Sequence, residues 1–575
     1  MRKTSALLLV VLIALLNSVV SPGAFGQTRV PIIAKHGMVV SADKIASEVG
    51  VRTLREGGNA VDAAIATAFA LAVTYPSCGN IGGGGFLAYH GSDGTVTTFD
   101  FREKAPLAAS ETMFLGEDGE IRDNCTYEGL LSVGVPGTVA GLALAHRRLG
   151  SKPWSELIAP AIHLAEDGFP MPQALHDEVK GMKDNFLKYP SSAKVFLKDD
   201  GTPYETDELW RQPDLAAVLR RIQENGKDGF YKGRTAKLIA DFMKRDGGLI
   251  TEEDLAKYEA VEREPIHGTY HGYDIYAMGP PSSGGIALVE MLNILEGFNL
   301  YEMGHNSALY LHILTEAMRR AYADRARHLG DPDFNPDMPI QRLLSKQYAD
   351  DLRGDIQLYR ASESTPQDID QPYESTETTP FVVVDAQGNA VSLVYSLGGD
   401  WGCEIAVEGA GFLLNNEMSD FNPIPGRTDE HELIGTPPNL VAPGKRMLSS
   451  ITPTIIAKEG KVMLIVGCSG GRTIINVVLQ IILNTINHKM DVAEAISAPR
   501  IHHQWLPDIT FMEKWATTAD SQRLYEMMGH RIRFSSRFNR RLGTARIIHI
   551  DNDKKLYYGV SDPRSSDAAG AAVGY

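Results

Sequence analysis

Helical and strand periodicities mix in the first part of the chain, helices take over in the middle, and hairpins dominate the end. The stretch "GNAVDAAIATAFALAVTYP" (58–76) is apolar nearly all round, which predicts a buried helix. "GFLAYHGSDGTVTTFDFRE" (85–103) predicts two strands joined by a Gly-containing turn. "PGTVAGLALAHRRLG" (136–150) opens on Pro and closes on Gly, the boundary marks of a helix. A mainly helical middle is expected from about Trp154 to Leu352. From "RASESTPQDIDQPYESTE" (360–377) the pattern disappears: the stretch is polar, holds two prolines and has no apolar face to bury, so it reads as a mobile linker.

Hairpins come next. "FVVVDAQGNAVSLVYS" (381–396) turns through Gln-Gly-Asn, "TPTIIAKEGKVMLIVG" (452–467) through Glu-Gly, and "ARIIHIDNDKKLYYGV" (545–560) through Asp-Asn-Asp. A long helix, "RTIINVVLQIILNTIN" (472–487), lies between the second and the third. Two apolar strand layers with aliphatic helices predict a layered α+β sandwich. No fixed-period repeat and no low-complexity tract interrupts it.

At 575 residues, 43% of them hydrophobic, the chain can bury a large core as one big domain or several ordinary ones. The net charge of -16 argues against nucleic acid, which selects basic faces. An acidic balance names no other partner. The N-terminus says more. Arg2 and Lys3 precede an apolar run from Ala6 to Leu16, and Ala24-Phe25-Gly26 forms a small-residue site before Gln27. That is the anatomy of a secretory signal peptide over 1–26. An uncleaved membrane anchor is the alternative, but the apolar run is short for a span. No later segment is apolar enough to cross a bilayer, so a soluble protein, periplasmic or secreted, is expected. Cys78, Cys125, Cys403 and Cys468 can pair in three ways between which sequence does not choose. Their wide spacing disfavours a metal site.

The boundary "ESTETTPFVVVDAQGN" (374–389) carries candidate chemistry. A threonine hydroxyl is a poor nucleophile unless a base removes its proton. An N-terminal threonine carries its own base, since a free α-amine titrates at about 7.7–8.0. A cut between Glu377 and Thr378 would create that amine, and the patternless stretch upstream is a segment that can leave. Locally the signal is weak, because threonine is common in strands.

Longer motifs strengthen it. "GNIGGGGF" (79–86), "DFREKAP" (100–106), "VGVPGTVAGL" (133–142), "GPPSSGGI" (279–286), "LLNNEMSDF" (413–421), "APGKRMLSSITPTI" (442–455) and "APRIHHQWLPD" (498–508) occur in the order found in the γ-glutamyltranspeptidase (glutathione hydrolase) family of N-terminal nucleophile hydrolases. The chain resembles that family from residue 37 to its final residues. The resemblance implies a four-layer αββα sandwich, built jointly by a large subunit (27–377) and a small catalytic subunit (378–575) that stay together as a heterodimer after the precursor cuts itself. It implies hydrolysis or transfer of γ-glutamyl groups, from glutathione or another γ-glutamyl compound to water, an amino acid or a peptide. No cofactor and no metal is implied, and neither nucleic acid nor a membrane span is a partner.

By the same resemblance Thr378 is the nucleophile, and Ser396 matches a hydroxyl residue that hydrogen-bonds near it. Arg102 matches the arginine that receives the substrate carboxylate, a task suited to a planar two-donor fork. Ser449 and Ser450 match paired hydroxyls on the same carboxylate, and Glu417 and Asp420 match the acids that hold the ammonium. Gly470 and Gly471 match the turn whose backbone N–H groups face the oxyanion, with a helix N-terminus behind them. The chain departs from the family at Gly398, where an Asn is usual, and at His431, near where some members place a tyrosine.

Two rival readings come from the same residues. Gly467-Cys468-Ser469-Gly470-Gly471 fits G-x-S-x-G between a strand and a helix, which suggests a serine esterase with Ser469, Asp508 and His530 or His549. Against it, the chain beyond Ser469 reads as hairpins rather than the strand–helix units of an α/β-hydrolase. A non-catalytic exported protein that binds amino acids or peptides is the other. "NIGGGGF" lacks the Lys-Ser/Thr of a phosphate loop, "PPSSGG" reads as a loop, and His502 and His503 read as structural.

Overall fold

The computed structural model describes residues 30–365, 378–427, 435–535, 542–565 and 572–575. The signal-like segment, most of the 360–377 linker with Glu377, and His431 lie outside the described residues.

The strands of the two main sheets are, in chain order, β1 (Ile32–Ala34), β2 (Met38–Val40), β3 (Gly84–His90), β4 (Val96–Phe101), β5 (Val261–Arg263), β6 (Ile266–Tyr270), β7 (Tyr273–Ala277), β8 (Thr379–Val384), β9 (Ala390–Ser396), β10 (Thr454–Lys458), β11 (Lys461–Ser469), β12 (Thr544–Asp551), β13 (Leu556–Ser561) and β14 (Ala572–Gly574). One seven-stranded sheet has the order β1-β13-β12-β11-β10-β7-β6, the other β14-β2-β8-β9-β3-β4-β5. Every neighbouring pair in both is antiparallel.

The sheets lie face to face, and helices cover both outer faces. Helices α1 (Lys44–Arg55), α2 (Ala60–Thr74), α3 (Thr138–Leu149) and α4 (Trp154–Asp167) cover the β8–β9 side. Helices α5 (Gly284–Leu295), α6 (Ala308–His328) and α7 (Thr473–Ile486) cover the β10–β11 side. This is the four-layer αββα arrangement. Its inner strands β8, β9 and β11 are mostly apolar because both faces are buried. Alternate residues of β8 serve different layers: Val382 and Val384 join Ile455, Ile465 and Ile548 between the sheets, while Phe381 and Val383 join Ile65 and Phe69 under the helices.

Helix α2 is buried along its whole length, as its all-round apolar sequence requires. Its start is secured by a reciprocal cap, in which Asn59 Oδ1 accepts the Asp62 N–H and Asp62 Oδ2 accepts the Asn59 N–H, both at 2.9 Å.

The structure differs from the sequence expectation in two places. The helical middle also supplies β5, β6 and β7, short strands that extend one edge of each sheet. Their mixed exposure leaves no clean alternation to read. The described beginning of the linker is anchored: the Ala361 N–H donates to Met528 O at 2.7 Å, and the Ser362 and Ser364 N–H groups donate to Glu316 and Asp508. All four cysteines, whose pairing the sequence leaves open, are thiols.

Candidate active site

Strand direction carries distant parts of the sequence to one rim. In the sheet of β8 and β9, Thr379 pairs with Tyr395, Ser396 with Gly84, and Gly85 with Phe101. Thr378 just before β8, Ser396 ending β9 and Arg102 just after β4 therefore share one end. In the other sheet Thr454 pairs with both Val466 and Ala277. Ser449–Ser450 before β10, Gly470–Gly471 after β11 and the 279–285 loop after β7 thus share an end as well. The two ends coincide. Arg102, Thr378, Ser396, Gly398, Glu417, Asp420, Ser449, Ser450 and Gly471 line one small cavity, with Ile451 and Ile474 as its apolar wall.

Arg102 is buried among carboxylates. Its Nη1 lies 2.6 Å from Glu417 Oε2 and 3.6 Å from Glu103 Oε2, and its Nη2 bonds Asp420 Oδ2. Burial raises Glu417 to about 7, against the pull of Arg102 and with Asp420 adding to the rise. Burial, reinforced by the charge of Glu417, holds Glu103 well above the ordinary carboxylate range. The pocket therefore contains a fixed cation beside acids that burial pushes toward their neutral forms. Such a site suits a zwitterion, which brings one charge for each side.

The acids are held by a polar staple. Glu417–Asp420 is a short 3₁₀ turn. Just before it, Asn415 Nδ2 donates to Gly82 O and Gly134 O, both at 2.8 Å, and its Oδ1 accepts the Gly134 and Glu417 N–H groups. Asn439 Nδ2 donates to Asp420 O while its Oδ1 accepts the Leu448 N–H, tying the acids to the segment that leads to Ser449. Sequence alone gives no reason to pick these asparagines for this task, since Asn415 in "NN" and Asn439 in "PPNL" each look like an ordinary loop residue.

Thr378 is 7% exposed, and in the continuous chain its nitrogen is a peptide amide. The Ser396 hydroxyl accepts the Gly398 N–H at 2.7 Å and bonds Glu417. Gly470 and Gly471 take φ of 126° and 55°, and Thr473 N donates back to Gly470 O as α7 begins. Backbone N–H groups at a helix N-terminus provide a positive end for a developing oxyanion.

A sequence profile of the family described as Gamma-glutamyltranspeptidase matches residues 46–572. The chain belongs to the gamma-glutamyltranspeptidase family. It is 45% identical over 540 residues to the glutathione hydrolase proenzyme of Escherichia coli K12, covering 93% of this chain and 92% of that one. Among solved structures it is similar to a cephalosporin acylase from Bacillus halodurans, with a TM-score of 0.82 at 27% identity over 95% of this chain and 97% of that one. It is also similar to the Helicobacter pylori gamma-glutamyltranspeptidase, with a TM-score of 0.56 at 45% identity. That match covers 57% of this chain and 94% of the other.

Against this family background the Gly398 departure has a structural counterpart. A Cβ at Gly398 would stand 2.1 Å from Asn416 Oδ1, and φ there is +98°. Asn416 fills the space, accepting the Gly399 N–H and donating to Tyr127 O. A side-chain amide is thus present next to the position, supplied from a different loop.

The esterase constellation is not assembled. Ser469 Oγ bonds Thr544 Oγ1 at 2.6 Å, and His530 Nε2 bonds His312 Nδ1 at 2.7 Å. Asp508 is engaged by Arg319 and His503. His549 pairs with Leu464, several residues along β11 from the Ser469–Thr544 pair. An elbow motif needs its acid and base folded toward it, and here they pack elsewhere. His502 and His503 are buried, bonded to Asn476 and Asp508 respectively, and held down near 4 by that burial.

Proposed function

We propose that the chain cuts itself between Glu377 and Thr378 and then hydrolyses or transfers γ-glutamyl groups, as from glutathione, through a γ-glutamyl-threonine ester. One observation carries the reading: the residue such a cut would expose lines the same cavity as a buried arginine, two carboxylates and three serines.

In the proposed cycle the freed Thr378 amine takes the hydroxyl proton as Oγ1 attacks the γ-carbonyl carbon. The oxyanion is held by the Gly470 and Gly471 N–H groups. Collapse expels the amine, which receives that proton and leaves an ester on Thr378. Water or an acceptor amino acid attacks the ester, the Thr378 amine again taking the proton, and the hydroxyl is restored. Arg102, Ser449 and Ser450 hold the α-carboxylate, Glu417 and Asp420 the ammonium, and Ser396 orients the reacting end of the pocket.

The cut would not separate the pieces. Strand β8 lies between β2 and β9, and β9 lies between β8 and β3, so both would remain inside a sheet flanked by strands from the large piece. We read the protein as exported on the strength of the 1–26 pattern; sequencing the mature N-terminus, expected at Gln27, tests that. The acylase likeness raises glutaryl amides as a second substrate class. The Glu417–Asp420 pair, which a glutaryl group would leave without an ammonium, favours γ-glutamyl.

Purified protein is run on a denaturing gel and its fragments sequenced. Two fragments, the smaller beginning Thr-Thr-Pro, and an uncut, inactive Thr378→Ala variant are expected. An intact wild-type chain that turns over γ-glutamyl compounds would falsify the proposal.

A further inference from the structure

The "PPSSGG" loop has a place in this site that its sequence does not suggest. It forms the back wall of the serine pair. Ser282 bridges Ser449 in parallel, the Ser449 N–H donates to Pro281 O, and the Ser283 N–H and Oγ both donate to Ser449 O at 2.7 Å. Ser282 Oγ donates to Ile451 O at 2.6 Å, so the loop grips the segment on both sides of Ser450.

Behind the loop stands Arg325, in the last turn of α6 and buried. Its Nε donates to Ser283 Oγ at 2.8 Å and its Nη2 to Ser450 Oγ at 3.2 Å. A guanidinium has five donors and no acceptor. The Ser450 proton therefore cannot point at Arg325 and must point elsewhere. Ser449 is polarised in the same sense, because its Oγ accepts the Ile451 N–H at 3.1 Å. Both hydroxyls at the cavity wall are thus held as acceptors from behind. One turn earlier on α6, the Tyr322 hydroxyl donates to Arg472 O beside the Gly470–Gly471 turn. One helix face thereby supports both the serine wall and the glycine turn. Burial and the nearby Arg472 charge lower Arg325 only to about 9, so it remains a cation at neutral pH.

We propose that Arg325 is a positioning residue for carboxylate recognition: it fills the acceptor side of the Ser450 hydroxyl, so that Ser450 meets the substrate carboxylate as a hydrogen-bond donor. The inference rests on the carboxylate role proposed for Ser449 and Ser450. Arg325 is absent from the cavity lining and acts through Ser450, with its charge adding to the attraction for an anion.

The test uses processed enzyme and two anilides, γ-glutamyl p-nitroanilide and 4-aminobutyryl p-nitroanilide, which differ only in the α-carboxylate. Arg325→Met is expected to raise KM for the γ-glutamyl substrate about tenfold or more, with kcat little changed and the 4-aminobutyryl substrate unaffected. Arg325→Lys, still a pure donor, is expected to recover most of the loss. Ser450→Ala should reproduce the effect, and adding Arg325→Met to it should add nothing. Equal losses on both substrates, or additive losses in the double variant, would overturn the inference. Should Arg325→Met fail to fold, Ser283→Ala, which releases Nε and also removes the Ser283 hydroxyl's bond to Ser449 O, must narrow the preference between the two substrates; an unchanged preference overturns the inference equally. A wild-type enzyme with no preference for the carboxylate would instead sink the carboxylate reading itself.

Discussion

Nη1 of Arg102 lies 2.6 Å from Oε2 of Glu417, with both side chains out of solvent. Each is therefore the other's partner before any substrate arrives. A lone carboxylate entering the pocket would take Arg102 from Glu417 and leave a buried acid uncompensated. A lone ammonium would do the reverse. Only a ligand with both charges re-pairs both groups, so the geometry selects zwitterions by penalising half-matches.

This selection predicts a large gap between γ-glutamyl and glutaryl p-nitroanilides, which differ by the ammonium. The kcat/KM for the glutaryl compound should be lower by about a hundredfold or more, the usual scale for leaving one member of a buried charge pair bare. Comparable kcat/KM values would remove Glu417 and Asp420 from ammonium recognition.

The raised Glu417 predicts a pH dependence. Its carboxyl titrates near 7, so it is neutral below that pH and anionic above it. In the proposed cycle ammonium binding needs the anion, and attack needs the Thr378 amine unprotonated, at about 7.7–8.0 for an ordinary α-amine. Both requirements fail as pH falls. A plot of log kcat/KM against pH should steepen toward two protons below both values, and toward one proton in Glu417→Gln. An identical slope in the variant would assign the acid limb elsewhere.

Gly398→Asn, which introduces the residue expected there from the resemblance, should impair rather than improve this chain. The new Cβ would meet Asn416 Oδ1 and occupy a backbone conformation that strains any side chain, a cost of about 1–3 kcal/mol. A lower melting temperature and reduced kcat/KM are expected, with partial recovery when Asn416→Ala is added. A fully active single variant would show that the loop holding Asn416 yields freely.

The strap upstream of the proposed cut is expected to be protected. Arg360 is followed by Ala361, whose N–H is bonded to Met528 O, and Glu316 accepts both the N–H and the hydroxyl of Ser362. Trypsin should cut after Arg360 slowly in the wild type. Glu316→Gln weakens two charge-assisted bonds and should speed that cut about tenfold or more. Mass spectrometry of the large fragment reads the result directly, and equal rates would mean that Glu316 does not hold the strap.

Much of this architecture was legible in the linear pattern. The uninterrupted apolar run after Thr379 and the turn at Gln387-Gly388-Asn389 specify a doubly buried hairpin. The nearly all-apolar 60–74 segment specifies a buried helix, because such local periodicities survive whatever packs on them. Arg102, Glu417, Asp420, Ser449 and Ser450 stood out as candidates, since each belongs to a long motif, whereas Thr378, Ser396 and the Gly470–Gly471 turn lie in shorter stretches.

What the chain's order conceals is who faces whom. Ser283 and Ser449 are 166 positions apart, Asn415 and Gly82 333, and each looks locally like an ordinary loop residue. Short polar side chains carry no periodic signal, and their roles depend on donors and acceptors that only the folded rim brings within reach. The same holds for Ser469, whose motif fits an esterase while its fold neighbours are a threonine and a strand rather than a base. Local sequence set the layers and hairpins through burial periodicity; the antiparallel closure of two sheets at one rim decided which residues became a site.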